Sequence, residues 1–219
     1  NYFNPEYEIY TRYKATDTEQ EGLSSPIIGR MIEDKNGNLW ICTEGGGVND
    51  YDRKKGIFQW FRHAERKNSI SHNNVKAIYY DEKAEKMWIG THLGGLNKLD
   101  LRTNTFTHYR MKEDNPNSLP SDIIRDITPY RDQLIIGTQN GVCLFDPATG
   151  ICRQLFKDTK EGQAIRMVAD LFMDKDSTLW IAATGEGVYS YRFDTDLLTN
   201  YRHDPEISGS LSNNNVNSI

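Results

Sequence analysis

Four polar side chains occupy one recurring position, in the turn that follows a short apolar run. They are Glu44, His92, Gln139 and Glu186. Carboxylate, imidazole and amide groups offer different sets of hydrogen-bond donors and acceptors, so their variation at one position suits recognition of an asymmetric polar ligand. Solvated loop tips would vary in the same way, and that simpler interpretation is the one the sequence favours.

A second set of charged residues recurs at the start of another apolar segment. Its basic members are Arg30, Lys76, Arg125 and Arg166, and two acidic residues, Asp126 and Asp170, accompany them. Basic groups can hold an anionic sugar or a carboxylate through charge-assisted hydrogen bonds. Pairing of these charges with one another across a water-filled channel is the alternative, and we prefer it. Together the two sets form the predicted ligand-binding residues.

Signals for catalysis or metal binding are poor. Asp34, Asn36 and Asn38 resemble the start of a calcium loop, but Leu39 replaces the required glycine. The segment 185–187 (GEG) lacks the third glycine of a phosphate-binding loop. The five histidines show no HExxH spacing, and no G-x-S-x-G elbow is present. We therefore predict no catalytic residue, no metal site and no cofactor.

The secondary-structure elements that would position these residues recur four times along the chain. Trp40, Trp88, Ile135 and Trp180 recur at intervals of 48, 47 and 45 residues, and a glycine recurs in step with them at Gly47, Gly95, Gly141 and Gly187. Two apolar runs joined by a glycine-bearing link predict a β-hairpin. A tryptophan at a fixed position in an apolar run predicts a core residue. Trp60 lies outside that position and is the one tryptophan we consider as an exposed platform for a sugar.

Each repeat predicts four short strands, which is typical of a β-propeller blade. No apolar pattern has a helical period, so the predicted class is all-β: a partial ring, or a segment of a larger seven-bladed propeller. The predicted parts are the end of a preceding blade (1–22), four blades (23–69, 70–118, 119–164 and 165–210) and the first strand of another (211–219). Exposed blade edges would favour self-association.

Composition restricts the partners. The 219 residues carry 26 basic and 31 acidic side chains, interspersed, for a net charge of −5. No basic stripe is present, so nucleic acid is a poor candidate partner. No apolar run approaches the roughly 18 residues of a membrane span, and Asn1 begins no signal-peptide pattern, so we expect a soluble segment without membrane contact.

The three cysteines give neither a disulfide framework nor a zinc site. Cys143 and Cys152 flank the turn at 146–150 and would lie on adjacent strands. A disulfide between them is one alternative, but such bonds need closely matched Cβ positions, and the sequence favours unlinked thiols.

Recurring motifs carry a resemblance to a known family. The residues ISHNNV (70–75), MWIGT (87–91), GGL (94–96) and FTHYR (106–110) resemble the two-component regulator propeller repeat, which extends over nearly the whole chain. Repeat three departs from it, with Ile135 in place of tryptophan. The resemblance implies the periplasmic sensor region of a hybrid two-component system of the Bacteroides type, anchored in the inner membrane through a parent histidine kinase that this segment lacks.

Three functions follow as hypotheses. The preferred one, implied by the resemblance, is a non-enzymatic sensor segment that detects glycan-derived oligosaccharides and signals through a homodimer to genes for polysaccharide use. The second is a propeller enzyme, such as a streptogramin-lyase-like protein or a polysaccharide lyase, with His92 and Glu44 as acid and base. The third is a protein-interaction scaffold, which would display a flat apolar patch on its rim.

Overall fold

The computed structural model describes residues 2–4, 6–65 and 68–219. A two-stranded hairpin, β1 (Tyr2–Asn4) and β2 (Ile9–Thr11), precedes four antiparallel four-stranded sheets. Blade one contains β3 (Ile28–Glu33), β4 (Leu39–Thr43), β5 (Val48–Asp52) and β6 (Ile57–Phe61). Blade two contains β7 (Val75–Asp81), β8 (Lys86–Thr91), β9 (Leu96–Asp100) and β10 (Thr105–Tyr109).

The second half of the chain repeats this arrangement. Blade three contains β11 (Ile124–Tyr130), β12 (Gln133–Thr138), β13 (Gly141–Phe145) and β14 (Cys152–Gln154). Blade four contains β15 (Val168–Met173), β16 (Thr178–Ala183), β17 (Gly187–Arg192) and β18 (Leu197–Tyr201). In every blade the strands pair in the order in which they occur along the chain. The all-β prediction is confirmed, and the fold class is a β-propeller.

The first strands of the blades lie side by side. Strand β7 contacts both β3 and β11, and β11 contacts β15, so these strands are the inner edges of successive blades. Each inner strand has a register shift near its start, for example between Ile124 and Asp126 and between Val168 and Asp170. A bulge there bends the strand and re-aims the side chains that follow it.

The core consists of layers between neighbouring blades. Trp40 and Val48 of blade one pack with Met87 and Leu99 of blade two. Trp88 packs in the same way against blade three, and Ile135 takes the tryptophan position in the next layer. Trp40 and Trp88 are 2% and 1% exposed, which confirms their predicted place in the core.

Trp180, at the same position in blade four, is only partly buried because no further sheet covers that face within the described residues. Its indole N–H donates to Asp174 at 2.9 Å. Trp60 is half-buried as well, and its indole donates to the Gly22 carbonyl at 2.9 Å. Trp60 is therefore packed along one side, and it is a poorer platform than the sequence suggests.

Three details differ from the predictions. A short helix, α1 (Lys160–Ala164), interrupts the connector after β14, where Thr159 caps its first turn. The last four residues, 216–219, form no strand. Cys143 and Cys152 form a disulfide between β13 and β14, so the preference for unlinked thiols was wrong. The register pairs Phe145 with Cys152, so Cys143 is a diagonal neighbour of Cys152, and their Cα atoms are 5.9 Å apart, within the range of a disulfide. No helix in the described part of the chain is long and apolar enough to cross a bilayer.

Candidate functional site

All eight predicted ligand-binding residues lie toward one face of the propeller, here called the connector rim. This rim consists of the turns between the second and third strands of each blade and the connectors between blades. The start of each inner strand pairs with the end of the second strand, as Val75 does with Thr91 and Ile124 with Thr138. Backbone bonds join the two, with the His92 N–H donating to the Asn74 carbonyl at 2.9 Å. The topology therefore brings both sets of residues together.

The first cluster on the connector rim bridges blades one and two. The Lys76 ammonium forms an ion pair with the Glu44 carboxylate, and this contact lowers the pKa of Glu44. His92 lies close enough to lower the pKa of Glu44 further, and the His92 Nδ1 is buried without a partner in the described residues. Burial, followed by the charges of His92 and His63, lowers the pKa of His72. The predicted residues Glu44, Lys76 and His92 thus form one polar group.

That group does not suit the lyase hypothesis. In that hypothesis Glu44 is the base, and a catalytic base works best when its pKa lies near the operating pH. The hydrogen bond from Lys76 instead lowers the pKa of Glu44, and the ion pair occupies its carboxylate. The large apolar residues exposed on the connector rim include Leu93, Met111 and Ile207, which belong to different turns and connectors.

Blade three contributes a second pair. The Arg125 guanidinium donates to the Gln139 side-chain oxygen at 3.0 Å. Its Nε is buried and has no partner among the described residues. Arg125 and Gln139, both predicted ligand-binding residues, are therefore in contact, and the Arg125 Nε has no hydrogen-bond partner in the part of the chain that the structure describes.

Arg30 lies nearer the axis and is paired with two carboxylates of other blades. Its guanidinium donates to Asp126 of blade three and, at 2.8 Å, to Asp170 of blade four. Asp126 is fully buried, and burial raises its pKa to about 6 against the opposing charge of Arg30. The Leu171 N–H donates to the same carboxylate at 2.9 Å. This pairing matches the structural alternative given above, and it occupies the groups of Arg30 that would bind an anion.

The last two predicted residues lie in blade four and in the connector that leads to it. Glu186 accepts from Arg202 at 2.6 Å. Arg166 is exposed, and its side chain lines a groove of about 400 Å³ between β13, β14 and the connector that contains α1.

A recurring contact that the sequence did not reveal closes three of the connectors. Asn73, Asp122 and Asn214 each accept a glycine N–H through the backbone carbonyl, and each accepts a second N–H through the side chain. For Asp122 these donors are Gly95 and Met111, both at 2.8 Å. We call this arrangement the connector clamp. Its signal was the Asn or Asp in the repeated motif, but only the structure gives its role.

Another groove lies on the opposite rim, where no ligand residue was predicted. It has a volume of about 500 Å³ between the first turns of blades two and three. Tyr79, Asp81, Arg131 and Gln133 are among its lining residues. Its mixed charges and exposed turns gave no distinctive pattern in the sequence.

Similarity to known proteins agrees with this architecture. Residues 22–45 match the family model described as two component regulator propeller. The structure is similar to the extracellular domain of a hybrid two component system from B. thetaiotaomicron, with 24% identity and a TM-score of 0.74 over 83% of this chain and 25% of that one. The chain therefore spans a quarter of the length of that domain.

A second similar structure is the virginiamycin B lyase from Staphylococcus aureus, with 10% identity and a TM-score of 0.62 over 89% of this chain and 61% of that one. At this identity the likeness concerns the fold alone. No curated protein matches the chain at a significant level.

Proposed function

We propose that this chain is a ligand-sensing propeller segment of a hybrid two-component sensor, without chemistry of its own, and that it detects glycan-derived oligosaccharides. The observation that carries the proposal is the connector rim. There, carboxylate, imidazole, amide and guanidinium groups from successive blades lie on the same side of the propeller. Oligosaccharides offer many hydroxyls at fixed spacing, and such a surface of donors and acceptors suits them.

The chemistry of the cysteines supports an extracytoplasmic location, which we propose to be the periplasm. The Cys143–Cys152 disulfide links two strands of one blade. Disulfides form and persist in oxidising compartments and are rare in a reducing cytoplasm. The parent of this segment would be a histidine kinase anchored in the inner membrane, and the match of residues 22–45 to the two component regulator propeller model supports the two-component part of that proposal.

Signalling would then pass through a homodimer to the genes for polysaccharide use. For a ligand to signal, it must bind one dimer arrangement more tightly than the other, because equal binding to both shifts nothing. Large apolar side chains exposed on the first strand of blade one, Ile28 and Met31, offer surface for association with further protein.

The test is isothermal titration calorimetry of the intact protein against a panel of neutral and anionic oligosaccharides. We expect at least one to bind with a defined stoichiometry. If no saccharide binds while a purified protein partner does, the sensing proposal for this segment is wrong and the scaffold hypothesis replaces it.

A further inference from the structure

The connector between blades three and four lacks the connector clamp that Asn73, Asp122 and Asn214 form at three other connectors. Arg166 occupies the position of Asn73, Asp122 and Asn214. Its carbonyl still accepts the Gly141 N–H at 2.8 Å, so the backbone contact is kept. A guanidinium cannot accept a hydrogen bond, however, so the side-chain half of the clamp is lost.

A groove lies at the connector that lacks the clamp. Strand β14 ends at Gln154, and the chain then makes a detour through α1 instead of returning directly to the next inner strand. Gly162 fits against the backbone of Phe156, where an added Cβ would lie 2.1 Å from the carbonyl oxygen, so the detour is tightly packed. This packed connector forms one wall of the groove of about 400 Å³, and the turn at Gly141 forms the other.

The side chains around this groove have a distinct character. Asn140, Gln154 and Gln163 supply amides, Lys157 and Arg166 supply positive charge, and no carboxylate is among the lining residues. Neither cation forms an ion pair within residues 2–4, 6–65 and 68–219. Several other cations of the connector rim are paired with carboxylates, as in Lys76–Glu44, Arg110–Asp122 and Arg202–Glu186, whereas Arg125 donates to the neutral Gln139.

We propose that this groove is the binding site for an acidic group of the ligand, so that the sensed molecule is an anionic oligosaccharide. This inference rests on the proposed function and names its ligand class. The protein as a whole is acidic, with a net charge of −5, so an unneutralised pair of cations in one groove is a local exception. The planar guanidinium of Arg166 can donate two hydrogen bonds to a carboxylate or a sulfate group, and the three amides can bind hydroxyls beside it.

The experiment compares three probes by calorimetry on the intact protein: tetragalacturonate, a sulfated heparin tetrasaccharide and neutral galactotetraose. We expect an anionic probe to bind and the neutral one not to, with affinity falling as salt rises. The two anionic probes distinguish a carboxylate from a sulfate preference.

The variant K157Q/R166Q should weaken binding of the anionic probe by about tenfold or more, because each lost charge-assisted bond contributes to affinity. The control K54Q/K175Q removes the same charge at exposed turns of the opposite rim and should leave affinity within about twofold. All four side chains are exposed, so both variants should fold, which circular dichroism checks.

Two results would overturn the inference in distinguishable ways. Equal binding of galactotetraose, unaffected by K157Q/R166Q, would refute the anionic groove and leave saccharide sensing intact. Absence of binding by both anionic probes would refute the groove as well, and the wider saccharide panel would then decide whether sensing itself fails.

Discussion

Asp50 is an acidic residue in an unfavourable place. It lies on β5, paired in register with Trp40, and its Oδ1 is buried without a partner in the described residues. Burial, followed by the nearby charges of Asp34 and Asp52, raises its pKa to about 6. A carboxyl whose pKa is raised on folding destabilises the folded state above that pKa, because ionisation costs more there than in the unfolded chain.

We therefore expect Asp50→Asn to raise the free energy of unfolding at pH 8 by about 1 kcal/mol, allowing for partial solvent screening. At pH 4 the substitution should change that free energy little, because Asp50 in the folded protein is then protonated and as neutral as asparagine. Urea unfolding at the two pH values measures this. Asp146→Asn is the control, because hydrogen bonds from Thr149 and from the Ala148 N–H lower the pKa of Asp146, and its removal should not stabilise the protein. A stabilisation by Asp50→Asn that is equal at pH 4 and pH 8 would contradict the electrostatic explanation.

Two glycines with similar backbone angles differ in the space around them. Gly45 and Gly95 have φ values of +81° and +72°. A Cβ at Gly45 would meet nothing within 4 Å, whereas at Gly95 it would lie 2.3 Å from the Tyr109 carbonyl oxygen. Gly95 therefore has two roles: it adopts the positive φ of the turn, and it allows the start of β9 to approach the end of β10 closely.

Substitution of the two glycines should separate these effects. Gly45→Ala should cost about 1 kcal/mol of unfolding free energy for its positive φ alone. Gly95→Ala should cost about 3 kcal/mol or more, because overpacking adds to that strain. Equal losses in denaturant unfolding would show that the close approach of the strands does not matter.

At the scale of the elements, β14 is the shortest of the blade strands, and the disulfide joins it to β13. A cross-link that closes a loop of this size should contribute about 3 kcal/mol to stability by restricting the unfolded chain. The double variant C143A/C152A should lose that amount in denaturant unfolding.

Thiol labelling with mass spectrometry tests the same bond directly. Burial raises the pKa of Cys42 to about 12, so the native protein should incorporate no iodoacetamide. Unfolding without reductant should expose one thiol, and unfolding with reductant should expose three. Three labelled cysteines without reductant would refute the disulfide.

The regular parts of the blades were predictable from sequence because their signals are local. Tryptophan and glycine recur at fixed positions, and the turn at Asp34 follows from side-chain bonds to the N–H groups of Asn36 and Asn38. The irregular connector was not predictable in the same way. A five-residue helix has too short a pattern to detect, and whether Cys143 meets Cys152 depends on strand register.

At the scale of the whole molecule, the order of the strands determines where the polar residues collect. Sequence reasoning predicted the residues of the connector rim, since each lies in a turn or at the start of an inner strand. It could not predict their partners. Arg30 reaches Asp126 and Asp170 across two and three blades, and such long-range pairs depend on how the blades are arranged around the axis.

Hydrogen exchange with mass spectrometry, on the intact protein with and without a saccharide found by calorimetry, tests the central claim most directly. We predict that the bound saccharide slows exchange in the turns of the connector rim (43–48, 91–96, 138–142 and 183–187) and leaves the turns of the opposite rim (34–38, 81–86 and 130–133) unchanged. Protection confined to the opposite rim, around the groove of Tyr79 and Arg131, would contradict the account.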